Sequence, residues 1–141
     1  KKKLFFRKHK LHGIINPEEL NFTSTGRYDQ VMIHIYVHKY FINQSASEEI
    51  PLDKAAQSWY EKIFKPIIDI VEEEKLLFRF PGRTGADLYM WIVHHWDDLK
   101  KKFGNDYPIQ EAARDYSLKY GGNLFDLLKY YMKKILHLFK R

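Results

Sequence analysis

Two histidines, His34 and His38, stand four residues apart. On a helix that spacing stacks two imidazoles one turn apart on one face, where they can share a metal ion. His95 can supply a third nitrogen and Asp87 an oxygen, which together would make a divalent metal site. No HExxH or other dense ligand motif accompanies them. The alternative is packed histidines whose ring nitrogens bond to backbone or side chains, as buried polar groups must. A role as general acid or base is the third reading, because an imidazole titrates close to neutral pH.

The run Phe80-Pro81-Gly82-Arg83-Thr84-Gly85-Ala86-Asp87-Leu88-Tyr89 is the most distinctive in the chain. Gly82 allows a backbone turn that other residues avoid. Arg83 and Thr84 then stand at the start of a helix, where free N–H groups and the positive end of the dipole favour an anion. Arg83, Thr84, Asp87 and Trp91 therefore form a candidate phosphate or carboxylate site, with Trp91 placed to stack on a ligand. The pattern is not a P-loop, since GxxxxGK[ST] is absent. The competing reading is a capped turn: Thr84 caps, Asp87 occupies the capping-box position, and Arg83 pairs with an acid or a carbonyl.

These residues need helices to hold them. Glycine and proline are sparse, with 7 and 5 copies, and fall between periodic segments. The first clear helix is predicted from about Arg27 to Asn43, capped by Ser24 or Thr25, with Val31, Ile35, Phe41 and Ile42 on its apolar face. Pro51 opens a second, carrying Ala55, Ala56, Trp59, Tyr60, Ile63 and Phe64. Pro66 should kink or break it before it resumes to Lys75. A third runs from Thr84 to about Lys102, with Leu88, Tyr89, Ile92, Trp96, Leu99 and Phe103 on one face, and stops at Gly104. Pro108 to Tyr120 and Asn123 to the end complete the set. No period-2 alternation marks a strand.

Charge is divided along the chain. The net charge is +6, from 24 Lys and Arg against 18 Asp and Glu. Six of the bases, Lys1, Lys2, Lys3, Arg7, Lys8 and Lys10, lie in the first ten residues with no acid among them. Residues 11–118 hold 12 bases and 17 acids, so the body is acidic and the ends are basic. That argues against a domain coated by nucleic acid. It leaves the six leading bases as candidate phosphate contacts, or as a solvated linker. The last helix sets an apolar arc that includes Leu124, Leu128, Met132, Ile135 and Phe139 against Lys129, Lys133, Lys134 and Lys140. Such an arc most often packs on its own domain; homodimerisation through residues 123–141, or an anionic surface, is the alternative.

With 45% hydrophobic residues a core is assured, and the absence of cysteine removes disulfides and thiolate chemistry and fits a cytoplasmic setting. The uncharged runs Gln30–His38 and Leu88–Trp96 are too short to span a bilayer, which takes about 20 residues. A chain that starts at Lys1 rather than Met is expected to be part of a longer protein.

The stretch from about Tyr28 to Gly104 resembles a known type of domain. It carries His34-Ile35-Tyr36-Val37-His38, Ser58-Trp59-Tyr60, Phe80-Pro81-Gly82-Arg83-Thr84, Asp87-Leu88-Tyr89 and Trp91-Ile92. This is similar to a bacterial helical domain labelled a transcriptional regulator, of the kind that follows a ParB-like or sulfiredoxin-like module. The resemblance brings no catalytic assignment and implies interest in His34, His38, Trp59, Arg83, Asp87 and Tyr89. The expectation is an all-α, single compact bundle of about five helices with short loops. Residues 1–24 would be a basic leader and an N-terminal segment in which Leu4, Phe5 and Phe6 begin a strand or helix and Asn16–Leu20 a short turn of helix, with 25–141 the helical domain. The leading functional expectation is a non-enzymatic regulatory or interaction domain beside a nucleic-acid-handling module. Alternatives are a small-ligand or metal-dependent enzyme site and a dimerisation domain.

Overall fold

The first helix lies where the sequence offers mostly basic residues. In the computed structural model, which describes residues 1–140, Lys2–His9 forms α1 and Lys10 closes it in the left-handed region. Its reason is Phe5 and Phe6, which are buried edge to face against each other; Leu11, Ile15 and Leu20 follow them into the core. The first 24 residues, expected to hold a basic leader and a short helix or strand start at Leu4–Phe6, thus share the core of the helical domain. Residues 17–19 form one 3-10 turn, capped by Asn16.

α2 (Arg27–Ser45) starts at Gly26 in a positive-φ conformation, not at a Ser24 or Thr25 cap. Its sequence is apolar around much of its circumference, so period alone does not select the buried stripe. Val31, Met32 and Ile35 are buried, whereas Phe41, expected on the apolar face, is exposed. α3 (Leu52–Trp59) runs through a π turn at Tyr60–Phe64 into α4 (Lys65–Glu73). The predicted break at Pro66 is resolved by this wide turn. The Lys65 N–H reaches back to the Tyr60 carbonyl, and the helix stays continuous around a residue with no N–H to give.

Leu76–Arg79 forms a 3-10 turn and leads to Gly82, at φ 78°. α5 (Gly85–Phe103) is the central element. The predicted capping box is present in both directions: the Asp87 N–H donates to Thr84 Oγ1 and the Thr84 N–H to Asp87 Oδ2, each at 3.1 Å. α5 buries Leu88, Tyr89, Met90 and Ile92 completely and stands against α4 and α6, while α2 lies on α3. α6 (Ile109–Tyr120) ends at Gly121, where a Cβ would come within 2.4 Å of the Ser117 carbonyl oxygen. Asn123 then caps α7 (Leu124–Phe139) through the Asp126 N–H.

The all-α expectation is met. Among the described residues the helices number six when α3, the π turn and α4 are taken as one, and no strand is present. None is long and apolar enough to cross a membrane.

α7 departs from expectation. Its apolar arc was expected to pack on the domain, yet Leu127 is its one buried residue, and every residue from Met132 to Lys140 is exposed. It is held at its base. The Tyr131 ring stacks on Phe78 at 4.7 Å and its hydroxyl donates to the Phe78 carbonyl, while the Gly122 N–H donates to the Arg79 carbonyl. The core built on α5 closes without it.

Candidate functional site

The Arg83–Thr84–Asp87 constellation is a clasp. Asp87 is 2% exposed. Its Oδ1 accepts the Thr23 N–H at 3.0 Å, and its Oδ2 accepts the Thr23 hydroxyl at 2.7 Å in addition to the Thr84 N–H. The Thr84 hydroxyl donates to the Asn21 carbonyl. Arg83 Nη1 donates to Thr23 Oγ1 at 2.9 Å, and the guanidinium lies over Trp91, 5.5 Å from the ring centroid. Trp91 in turn stacks with Tyr116 and meets Phe80. The groups expected to hold an anion are therefore engaged in fastening residues 21–23 to the start of α5. A buried carboxylate at their centre opposes a second negative charge. Thr23, the partner that completes the clasp, gave no signal in the sequence.

The three histidines do not converge. His34 Nδ1 is 2.7 Å from the Tyr89 hydroxyl, and His38 Nε2 is 2.8 Å from Ser58 Oγ. His95 lies on the other side of α5, with Nε2 at 2.6 Å from Asp115 Oδ2 and its ring edge-on to Tyr116 and Tyr120. Successive helical positions differ by about 100°, so one residue's shift moves a side chain to another face. It is His94, not His95, that meets His34, with ring centroids 5.5 Å apart. Among the described residues no three His, Cys, Asp or Glu side chains come together to hold a metal ion. The packed reading is the one the geometry follows, with each ring bonded to a side chain, and the candidate metal set of His34, His38, His95 and Asp87 does not assemble.

What His34 and His38 do line is a cleft of about 330 Å³ between α2, α3 and α5, together with Trp59, Tyr89, His94 and Asp97. The hydrogen bonds fix its chemistry. Trp59 Nε1–H can only donate, and it donates to the Tyr89 oxygen at 3.2 Å. Tyr89 is fully buried, so its own proton needs an acceptor, and His34 Nδ1 is the one within reach. This assigns His34 the tautomer with Nδ1 accepting and Nε2 carrying hydrogen. Burial, helped by the neighbouring His94, pushes the His34 pKa down to about 4, and burial raises that of the Tyr89 phenol. His38 is lowered by burial and by Lys62. A base with a pKa near 4 is neutral but weak at physiological pH, whereas general bases work best near the operating pH. The arrangement suits holding a group more than moving a proton.

The basic leader presents Lys1, Lys3, Arg7, Lys8 and Lys10 to solvent on and beside α1, while Lys2 is drawn inward to Asn21 Oδ1 at 2.5 Å.

The histidine assignment sets a pH dependence. The unfolded chain takes up a proton on His34 below about pH 6.5, the folded chain only near pH 4. Stability from this residue is therefore complete above pH 6.5 and is lost as pH falls toward 4. The loss is about 2 kcal/mol after allowing for solvent reaching the ring. Urea unfolding of wild type and His34→Asn between pH 7 and pH 4 should show a shallower decline in the variant. Equal slopes would refute the assignment.

Comparisons of this chain with protein-family models, with curated proteins and with solved structures returned no match.

Proposed function

We propose that this chain is a regulatory or interaction domain that works by docking a helix rather than by turning over a substrate. The observation that carries this reading is α7. Leu124, Phe125, Leu128, Met132, Ile135, Leu136, Leu138 and Phe139 are each 46–83% exposed on one 16-residue helix. A contiguous apolar patch of this kind on a folded domain marks an interaction site. The weak basicity of His34 supports the non-enzymatic side of the reading.

The bases on α1 give a second, weaker contact, to nucleic-acid phosphates. This agrees with the resemblance to a bacterial domain that stands beside ParB-like modules. Phosphate contacts of this type position without reading sequence. The cleft at His34 and His38 favours a further reading, a small-ligand site. Its volume falls at the low end of ligand pockets, and the fixed His34 tautomer leaves an Nε2–H to orient what enters.

Two experiments test the proposal. A photo-activatable phenylalanine analogue at Ile135 should give a discrete protein adduct in cells, whereas the same group at exposed Glu73 should not. Matching patterns at both positions would refute helix docking. For the nucleic-acid contact, the variant Lys3→Glu/Arg7→Glu/Lys10→Glu is preferable to deletion of residues 1–10, which would remove Phe5 and Phe6 from the core. Wild-type retention on duplex DNA should fall about a hundredfold between 50 and 200 mM salt if roughly four phosphates are neutralised. The triple variant should lose most of that retention; unchanged retention would exclude α1 as the contact.

A further inference from the structure

The bare face of α7 has a spacing of its own. Phe125, Leu128, Met132, Ile135 and Phe139 recur at intervals of three, four, three and four residues. All five are 46% or more exposed, and none contributes to this chain's own core. A sustained 3-4 spacing is the seam of a two-helix coiled coil, in which each side chain inserts between residues of a facing helix. An amphipathic helix that packs on a globular body shows a broader stripe. Here Leu124, Leu136 and Leu138 stay exposed along both flanks of the seam and widen its apolar cover. Leu127 and Tyr131 lie at the edge of the arc and hold the helix to the body, which leaves the seam free.

We infer that the seam is covered by the α7 of a second copy of this chain, paired antiparallel. The inference rests on the docking reading above and names its partner. Three observations select a second copy in this orientation. The seam and its flanking Leu124 and Leu136 put seven large, exposed apolar side chains on each partner, the content of an interface at the small end of the specific range. Charge is uneven along the helix. Asp126 and Lys129 balance in the first half, whereas Lys133, Lys134 and Lys140 face no acid in residues 132–140. All three lie on the outer side of the helix relative to the seam, and parallel pairing gathers both sets at one end of the pair. Antiparallel pairing sets them toward the base of the partner helix and the partner's body, where residues 11–118 carry 17 acids and 12 bases. Finally, the body is fastened to the first half of α7, at Leu127 and Tyr131, while the second half is bare. Antiparallel pairing puts the two acidic bodies at opposite ends of the helix pair and opposes the two helix dipoles.

The test is sedimentation equilibrium of the whole chain across a concentration series, with distance measurements on spin labels. Wild type should move from the 17.1 kDa monomer toward twice that mass. Ile135→Glu, and independently Met132→Glu, should stay monomeric with unchanged helical content and melting temperature, because both sites are exposed in the single chain. The chain has no cysteine, so Lys140→Cys takes one label per copy. The two labels should lie about 20 Å or more apart in an antiparallel pair. In a parallel pair the distance would be about 10–15 Å, given a 1.5 Å rise per residue and an 8–10 Å axis separation. A short distance would overturn the orientation. A wild-type monomer at every concentration would overturn the second copy. If the Ile135 photo-adduct then contains another protein, the docking reading survives with a different partner; if no adduct forms, both fall. Monomer that sediments with anionic phosphatidylserine vesicles would assign the face to lipid and overturn the proposal. Unfolding of both glutamate variants would place the seam in the core and overturn it as well.

Discussion

The structure depends on how a buried carboxylate is satisfied. Asp87 has almost no access to water, so its charge must be met by donors inside the protein. Thr23 gives two and Thr84 one. Meeting that requirement fixes the start of α5, ties the segment before α2 to it, and sets Arg83 over Trp91. Two residues further along α5, Tyr89 binds α2 through His34 and α3 through Trp59. The same few turns of one helix therefore organise the N-terminal segment, α2 and α3.

This closure explains α7. α5 packs against α4 and α6 and is tied to α2 and α3 through Tyr89, and Phe5 and Phe6 of α1 share the same core, which is complete without the last helix. Among the described residues the body meets α7 through the stacked Phe78–Tyr131 pair, Leu127 and the Gly121–Gly122 joint. An apolar face with no place in its own core needs another surface, and the docking proposal follows from that need.

Much of this is legible in the residues. The all-α class, the Thr84–Asp87 capping box, the stops at Gly104 and Gly121 and the Asn123 cap depend on local chemistry within a few residues, and local chemistry is what a sequence displays directly. What was misplaced depends on long-range contacts. Lys1–Lys10 reads as a charged arm because six bases outnumber two phenylalanines, yet burying Phe5 and Phe6 decides the outcome. His95 and His94 are neighbours in sequence, and which of them faces His34 depends on the rotation of α5 against α2. The Arg83–Asp87 run holds the capped turn that its residues display, and what the sequence hides is its long-range partner, Thr23, 64 residues from Asp87. The bare face of α7 is invisible for a related reason: amphipathicity shows that a face needs covering, but not whether the rest of the chain has room to cover it.

Amide hydrogen exchange of α7 tests most directly whether the core closes without it. Residues 132–140 of the dilute chain should exchange far faster than α5, as a helix with one exposed apolar face and no tertiary cover does, and should gain protection as a partner or a second copy is added. Protection in 132–140 that equals that of α5 and does not change with concentration would show that α7 belongs to the core, and would contradict the account.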